Sequence, residues 1–281
     1  MKRKKWIRPV LIVLLLGIMV FCIVRILLIR QEYNTGEAIY GEALDEFVAN
    51  PEGTMPLPDA EEPPETSEDA EADTDADDVP VQEEPKEEYP DLGIDFDKLR
   101  QVNEDIVGWI WIPDTRINYP LVQGKDNSTY LRTAYNLQPS RYGSAFLDYR
   151  NHPDFTDTNT IIYGHNMRND AMFGTLSNFA DPEFAENHTD LYIYTPDATY
   201  HYEIFSAYTA KTYEFPYIIN FEYEKSHEEF LQFIVEESVS LRREEPLTMD
   251  DRIVTLSTCL STSSYYKRFV VHGVLVSSSL D

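Results

Sequence analysis

Apolar side chains are laid out in three different ways along the chain. Residues 10–24 form an unbroken apolar run, and 26–29 resume it after Arg25. About 20 helical residues span roughly 30 Å, the thickness of a bilayer's hydrocarbon core, so residues 10–30 predict a transmembrane helix. Arg25, near one end, can carry its charge to the headgroups on its long stem. Residues 51–90 show the opposite pattern, with almost no large apolar side chains and eight of the seventeen prolines. Burial there cannot offset the entropy of ordering the chain. From residue 91 onward, short runs rich in Tyr, Phe, Ile and Val alternate with turn residues. Those at 108–112, 117–122, 143–147, 160–163, 191–194, 200–207, 252–257 and 269–276 read as strands. Helical spacing is rarer: 96–103 and 171–179 predict short helices, and 225–241 a longer one carrying Phe230, Phe233, Ile234 and Leu241. Eight short strands and few helices fit a closed or nearly closed β-barrel, in one mainly β domain at 91–281.

Charge divides along the same lines. The chain carries 50 Asp and Glu against 23 Lys and Arg, a net −27, of which residues 1–50 contribute +2, 51–90 −15 and 91–281 −14. The basic cluster at 2–8 places the N-terminus in the cytoplasm by the positive-inside rule. Residues 1–9 then form a cytoplasmic stub, and everything after residue 30 lies outside the cytoplasm. A cleaved signal peptide is the rival reading, but residues 25–30 lack the small side chains of a cleavage site. Residues 31–90 read as an extracytoplasmic stalk, with 51–90 its acidic, Pro-rich, disordered spacer. The aspartates at 73–78 lack the Gly turn and closing Glu of a calcium loop. So large an excess of acid excludes nucleic acid as a partner, because that interface needs Lys and Arg. Two Cys build no disulfide framework, and no Cys/His cluster suits structural zinc.

Cys22 falls in the apolar run, where it is a small apolar filler. Cys259 is then the lone thiol of an exported domain: buried and inert, bonded to another chain, or a nucleophile. Residues 253–259 read as a strand ending in small hydroxyl side chains, so the sulfur sits at a strand terminus. Nine positions on, Arg268 opens the next strand. Strands joined by a short loop are usually neighbours, which brings a guanidinium towards the thiol. A thiol nucleophile needs a base or acid partner. Of six His, His165 stands apart, because it follows the strand at 160–163 in Gly164-His165-Asn166, where the glycine lets the imidazole project into a cleft. His272 lies inside a strand, and alternation leaves its facing open.

The stretch Thr255-Leu256-Ser257-Thr258-Cys259 with Arg268 after it, and Tyr163-Gly164-His165-Asn166-Met167 upstream, resembles the sortases, cysteine transpeptidases of Gram-positive envelopes. Longer stretches are most similar to class B. They are Gly108-Trp109-Ile110-Trp111-Ile112-Pro113, the segment Tyr119-Pro120-Leu121-Val122-Gln123-Gly124-Lys125-Asp126-Asn127, and Phe146-Leu147-Asp148-Tyr149-Arg150-Asn151 with Met172-Phe173-Gly174-Thr175-Leu176. The similarity runs over about 95–281 in the family's order.

That resemblance implies an eight-stranded sortase β-barrel with short helices, one longer helix between the sixth and seventh strands, and a preceding transmembrane anchor. It implies Cys259 as nucleophile, His165 as proton shuttle and Arg268 as stabiliser of oxyanion or substrate. Asn127, Leu131 and Ser257 are the implied substrate contacts. No metal or organic cofactor is implied. The implied partners are exported proteins with an Asn-Pro-x-Thr-like C-terminal sorting signal, a peptidoglycan precursor or cross-bridge amine, and the bilayer itself. Class B members often carry an acidic residue after the Cys, whereas Leu260 stands here, which puts the usual signal preference in question. Other readings of the same residues are a pilin polymerase with a Lys acceptor, a papain-like hydrolase, and a tethered binding module. Papain-like enzymes place Cys before His, the reverse of the order here.

Overall fold

Eight strands close into a barrel in the computed structural model of the protein, which describes residues 4–53, 89–240, 243, 245–260 and 266–280. They are β1 (Ile106–Trp111), β2 (Asn118–Val122), β3 (Ala145–Leu147), β4 (Asn159–Tyr163), β5 (Asp190–Tyr194), β6 (Thr199–Lys211), β7 (Ile253–Cys259) and β8 (Lys267–Ser278). Their order around the barrel is β1-β2-β3-β4-β7-β8-β6-β5, and β5 closes on β1. Each predicted strand is present. β6 and β8 outrun their predicted lengths because they pair with each other from Lys211↔Lys267 to Tyr200↔Ser278. Two pairings are parallel, β2 with β3 and β4 with β7. Parallel neighbours end on the same side of a sheet, so β4 and β7 deliver their C-terminal residues to one rim.

Of the predicted helices, α2 (Phe96–Val102) begins where Asp95 accepts a hydrogen bond from the Lys98 N–H at 3.0 Å. The helix expected at 171–179 is instead a 3-10 turn at Gly174–Ala180. Asp170 and Met172 adopt left-handed φ of 60° and 53°, and the Met172 N–H is drawn to the Tyr119 hydroxyl at 3.0 Å, so no α-helix propagates through them. A five-residue helix, α3 (Pro182–Glu186), follows. The longer helix, α4 (Glu224–Glu236), lies between β6 and β7 and buries His227, Phe230, Leu231 and Ile234. Its apolar stripe packs with Phe205, Tyr208, Val270 and Val274 in a cluster apart from the main core. It ends before the predicted 241, and Leu241 lies outside the described residues.

The first helix corrects the predicted division of the chain. It does not stop near residue 30 but continues as one helix, α1, from Lys4 to Phe47. Its apolar run is exposed on all sides, and among the described residues it is the one helix long and apolar enough to cross a membrane. Beyond that run a stripe at helical spacing (Gly36, Ile39, Tyr40, Ala43 and Phe47) is buried against the barrel. Gly36 is obligatory there, since a side chain would collide with the Tyr142 ring. The folded unit therefore takes in residues of 33–53, which composition had assigned to the stalk.

The disordered spacer expected at 51–90 falls mostly on residues 54–88, which lie outside the described residues, and the segments flanking them meet. Val48 bridges Ile94, Ala49 and Asn50 donate backbone bonds to Gly93 and Leu92, and a side chain on Gly53 would lie 3.3 Å from Pro90. The two described ends that flank the tract therefore lie together on the fold, and α1 packs on the barrel directly.

Candidate active site

The rim where β4 and β7 end collects the residues singled out in the sequence. In the parallel register Tyr163 lies opposite Ser257, so His165 and Cys259 each follow that pair by two residues at the same rim. Three polar contacts hold the two exits together. Gly164 donates its N–H to the Ser257 carbonyl (3.1 Å), the Thr258 hydroxyl donates to the Gly164 carbonyl (2.8 Å), and the Asn166 amide donates to the Cys259 carbonyl (2.9 Å). Antiparallel pairing with β8 sets Arg268 directly across from Cys259. Such cross-strand partners have Cβ atoms about 4.5–5.5 Å apart. All three residues are half-buried.

A cleft of about 510 Å³ opens over this rim, and all six predicted residues line it: His165, Cys259, Arg268, Asn127, Leu131 and Ser257. The other cysteine, Cys22, is exposed on the apolar part of α1. His272 is fully buried elsewhere, where its Nδ1 meets the Thr255 hydroxyl at 3.0 Å and its Nε2 the Tyr208 hydroxyl at 3.1 Å.

His165 is held by a backbone carbonyl. Its Nε2 lies 2.8 Å from the Leu131 oxygen, which only accepts, so Nε2 carries a proton. In the neutral ring Nδ1 is then the free base. Burial lowers the His165 pKa below its ordinary value, against the opposing pull of the Leu131 carbonyl. The Leu131 carbonyl is itself braced. Gly143, in a left-handed conformation at φ +58°, packs so closely that a side chain there would lie 2.9 Å from Leu131 O, 2.6 Å from Tyr130 O and 3.0 Å from His165 Cδ2. The buried Tyr40 hydroxyl of α1 donates to the Gly143 carbonyl from the other side.

The opposite wall was not legible as a site in the sequence. Asp148 has no solvent exposure. It accepts hydrogen bonds from the Asn127 amide (2.9 Å), the Tyr163 hydroxyl (2.9 Å), and Arg150 through Nε (2.9 Å) and Nη2 (2.8 Å). Burial alone would raise its pKa, but these donors, led by the Arg150 fork, hold the carboxyl below its usual range. Tyr163 stacks with Tyr217 at 6.5 Å between ring centroids, and the Tyr217 hydroxyl meets Ser257 Oγ at 3.0 Å. Burial pushes the Tyr217 phenol up to about 12, so it remains a neutral hydroxyl. Arg150, Tyr163 and Tyr217 all line the cleft. The stretch 146–151 marked Asp148 and Arg150 only as part of a resemblance. Tyr217 sits in a short 3-10 turn with no periodic signal.

A thiol with a guanidinium across from it, in a cleft also lined by a histidine with one free ring nitrogen, is suited to acyl transfer through a thioester. The chain is also similar to known proteins of one family. A family model described as the sortase domain matches residues 110–276. Sortase B of Listeria monocytogenes is 41% identical over 180 residues, covering 63% of this chain and 72% of the relative. The crystal structure of a sortase B from B. anthracis superposes with a TM-score of 0.66 at 32% identity, covering 88% of this chain and 98% of the other. A Staphylococcus aureus sortase B–substrate complex gives a TM-score of 0.61 at 35% identity, covering 64% and 84%.

Proposed function

Since the chain belongs to the sortase family, in its class B branch, and is a cysteine transpeptidase, we propose that it cleaves exported proteins after Thr in a C-terminal sorting signal and transfers the acyl group to a cell-wall amine. The Cys259 thiolate attacks the Thr carbonyl carbon, and Arg268 with nearby backbone N–H groups stabilises the resulting oxyanion. Collapse of that intermediate breaks the C–N bond, and the departing amine takes its proton from His165 Nδ1. The acyl group stays on sulfur as a thioester. An acceptor amine then attacks the thioester carbonyl, gives its proton back to His165 Nδ1 and releases the thiolate. Asn127, Leu131 and Ser257 contact the signal peptide. The single helix α1 anchors the enzyme with its barrel on the outer face of the membrane.

What carries the reading is the convergence of His165, Cys259 and Arg268 from three strand ends on one cleft. The acceptor class is supported by a similar sortase B structure that is a complex with triglycine. The test incubates the full chain with Asn-Pro-x-Thr-type peptides of varied sequence. Intact-mass measurement then looks for an acyl adduct, with triglycine or a Lys side-chain amine supplied as acceptor. The reading requires an adduct ending in Thr on the wild-type chain, none on Cys259→Ala, and resolution by triglycine. An adduct that survives Cys259→Ala, or one resolved by the Lys amine alone, overturns it.

A further inference from the structure

The barrel-facing stripe of α1 does not end where the barrel does. Gly36 touches the Tyr142 ring, Tyr33 packs edge-on against the same ring at 5.9 Å, and Glu32 pairs with Arg141 at 2.8 Å. One and two helical turns towards the N-terminus, the same face carries Ile29 and then Arg25. This explains where the one charge inside the apolar run is aimed. Between that face and the hairpin closed by the Thr133–Pro139 bridge lies a cavity of about 360 Å³, lined by Arg25, Leu28, Ile29 and Glu32 on the helix and by Pro139 and Arg141 on the hairpin.

Its depth follows from the helix. The roughly 20 residues of the apolar run rise about 1.5 Å each, close to the full hydrocarbon thickness, which puts Ile29 at the outer boundary and Glu32 among the headgroups. A cavity lined by Leu28 and Ile29 therefore sits at that boundary. Arg25 lies one turn below and its stem reaches upward. The hairpin tip adds Leu137, exposed to 56% and fixed at φ +65° by a bond from its N–H to the Ala134 carbonyl at 2.9 Å.

We propose that this cavity seats the headgroup of a glycerophospholipid from the outer leaflet, with Arg25 and Arg141 on its phosphate, and that the hairpin tip rests in the headgroup layer. The proposal rests on reading α1 as the membrane anchor. Leu28, Ile29 and Pro139 face the start of the acyl chains. Glu32 takes part of the Arg141 fork, so the seat keeps one net positive charge, and the two guanidiniums present the planar donors that suit phosphate. The hairpin follows two residues after Leu131, whose carbonyl holds His165. Seating on lipid thereby fixes the catalytic cleft close to the bilayer, where a membrane-held substrate arrives.

The experiment places a fluorescent reporter in the full chain in nanodiscs whose phosphatidylcholine is brominated just below the glycerol. In a Trp6→Phe background the remaining tryptophans, Trp109 and Trp111, are buried in the barrel. Leu137→Trp emission should fall by at least half relative to unbrominated discs. Arg25→Gln combined with Arg141→Gln should restore most of it, and inorganic phosphate in the buffer should change nothing. Phe21→Trp, in the middle of the apolar run, reports insertion separately in discs whose phosphatidylcholine is brominated near the ends of its acyl chains. Strong quenching at position 21 without quenching at 137 overturns the seat alone, and no quenching at position 21 overturns the anchor itself. Quenching at 137 that ignores both arginine substitutions removes their phosphate role, and displacement by inorganic phosphate identifies a free-anion site instead.

Discussion

Gly143→Ala is the sharpest test of how His165 is positioned. At φ +58° an alanine meets the left-handed penalty of about 1–2 kcal/mol. Its methyl carbon would also lie 2.6 Å from Tyr130 O and 2.9 Å from Leu131 O. Both are backbone atoms, which cannot swing aside as a flexible side chain can, and overpacking of this kind costs about 1–3 kcal/mol. The reduced freedom of the unfolded chain returns roughly 0.4–1 kcal/mol. The expected loss of stability is therefore about 2–4 kcal/mol, read from the urea midpoint at unchanged slope. Relief of the clash must move Leu131 O, the atom that holds His165 Nε2 at 2.8 Å. Such misplacement of a proton-transfer group lowers peptide turnover per folded enzyme by about 10–100-fold. Gly41→Ala on α1 is the matched control. Nothing lies within 4 Å of its would-be methyl, so helix propensity alone should stabilise it by about 0.5–1 kcal/mol. If Gly143→Ala matches wild type in both midpoint and turnover, the bracing of His165 through Leu131 is wrong.

The other predictions are independent of that one. Arg268→Lys should lose most transfer activity while folding normally, because a point ammonium cannot present the planar fork; thermal melts and peptide transfer check both halves. Asp148→Asn should raise KM for the signal peptide more than it lowers kcat, since it frees Asn127 and Tyr163 but leaves the reacting groups in place. It should also destabilise the fold by about 2–3 kcal/mol, less than a fully buried pair because Arg150 is partly solvated; an unchanged KM counts against the wall. Burial holds His165 below its ordinary 6.5, so the acid limb of kcat/KM should titrate below 6.5, and a limb above that value contradicts the assignment. His272 is lowered by burial from 6.5 to about 3, so the unfolded chain takes up its proton first. Its contribution is complete above about 6.5, and stability should fall towards pH 3 by about 1.4 kcal/mol per pH unit, with a shallower decline in His272→Gln.

The strands and the grouping of Cys259, His165 and Arg268 at one rim were readable because each depends on near neighbours in sequence. Alternation exposes a barrel strand wherever one face is core, and Cys259, Arg268 and His165 announce themselves as strand-end residues of suggestive type. Features built from distant partners were not readable. The packing stripe of α1 is spread among Glu32, Glu37, Glu42, Asp45 and Glu46, whose charge masks its periodicity. Asp148 looks like any surface acid until Asn127, Arg150 and Tyr163 close around it. The helix at 171–179 failed because propensity is local, whereas the pull of the Tyr119 hydroxyl on Met172 comes from β2.

The contacts of Val48, Ala49 and Asn50 with Ile94, Gly93 and Leu92 bring the two ends that flank residues 54–88 together on the fold. Closing a longer loop costs only about 0.6 kcal/mol for each doubling of length, so the fold is nearly indifferent to how many residues the tract holds. Under the proposed anchoring by α1, the distance of the barrel from the bilayer is then set by the contacts of α1 with the barrel and not by the number of residues in the tract.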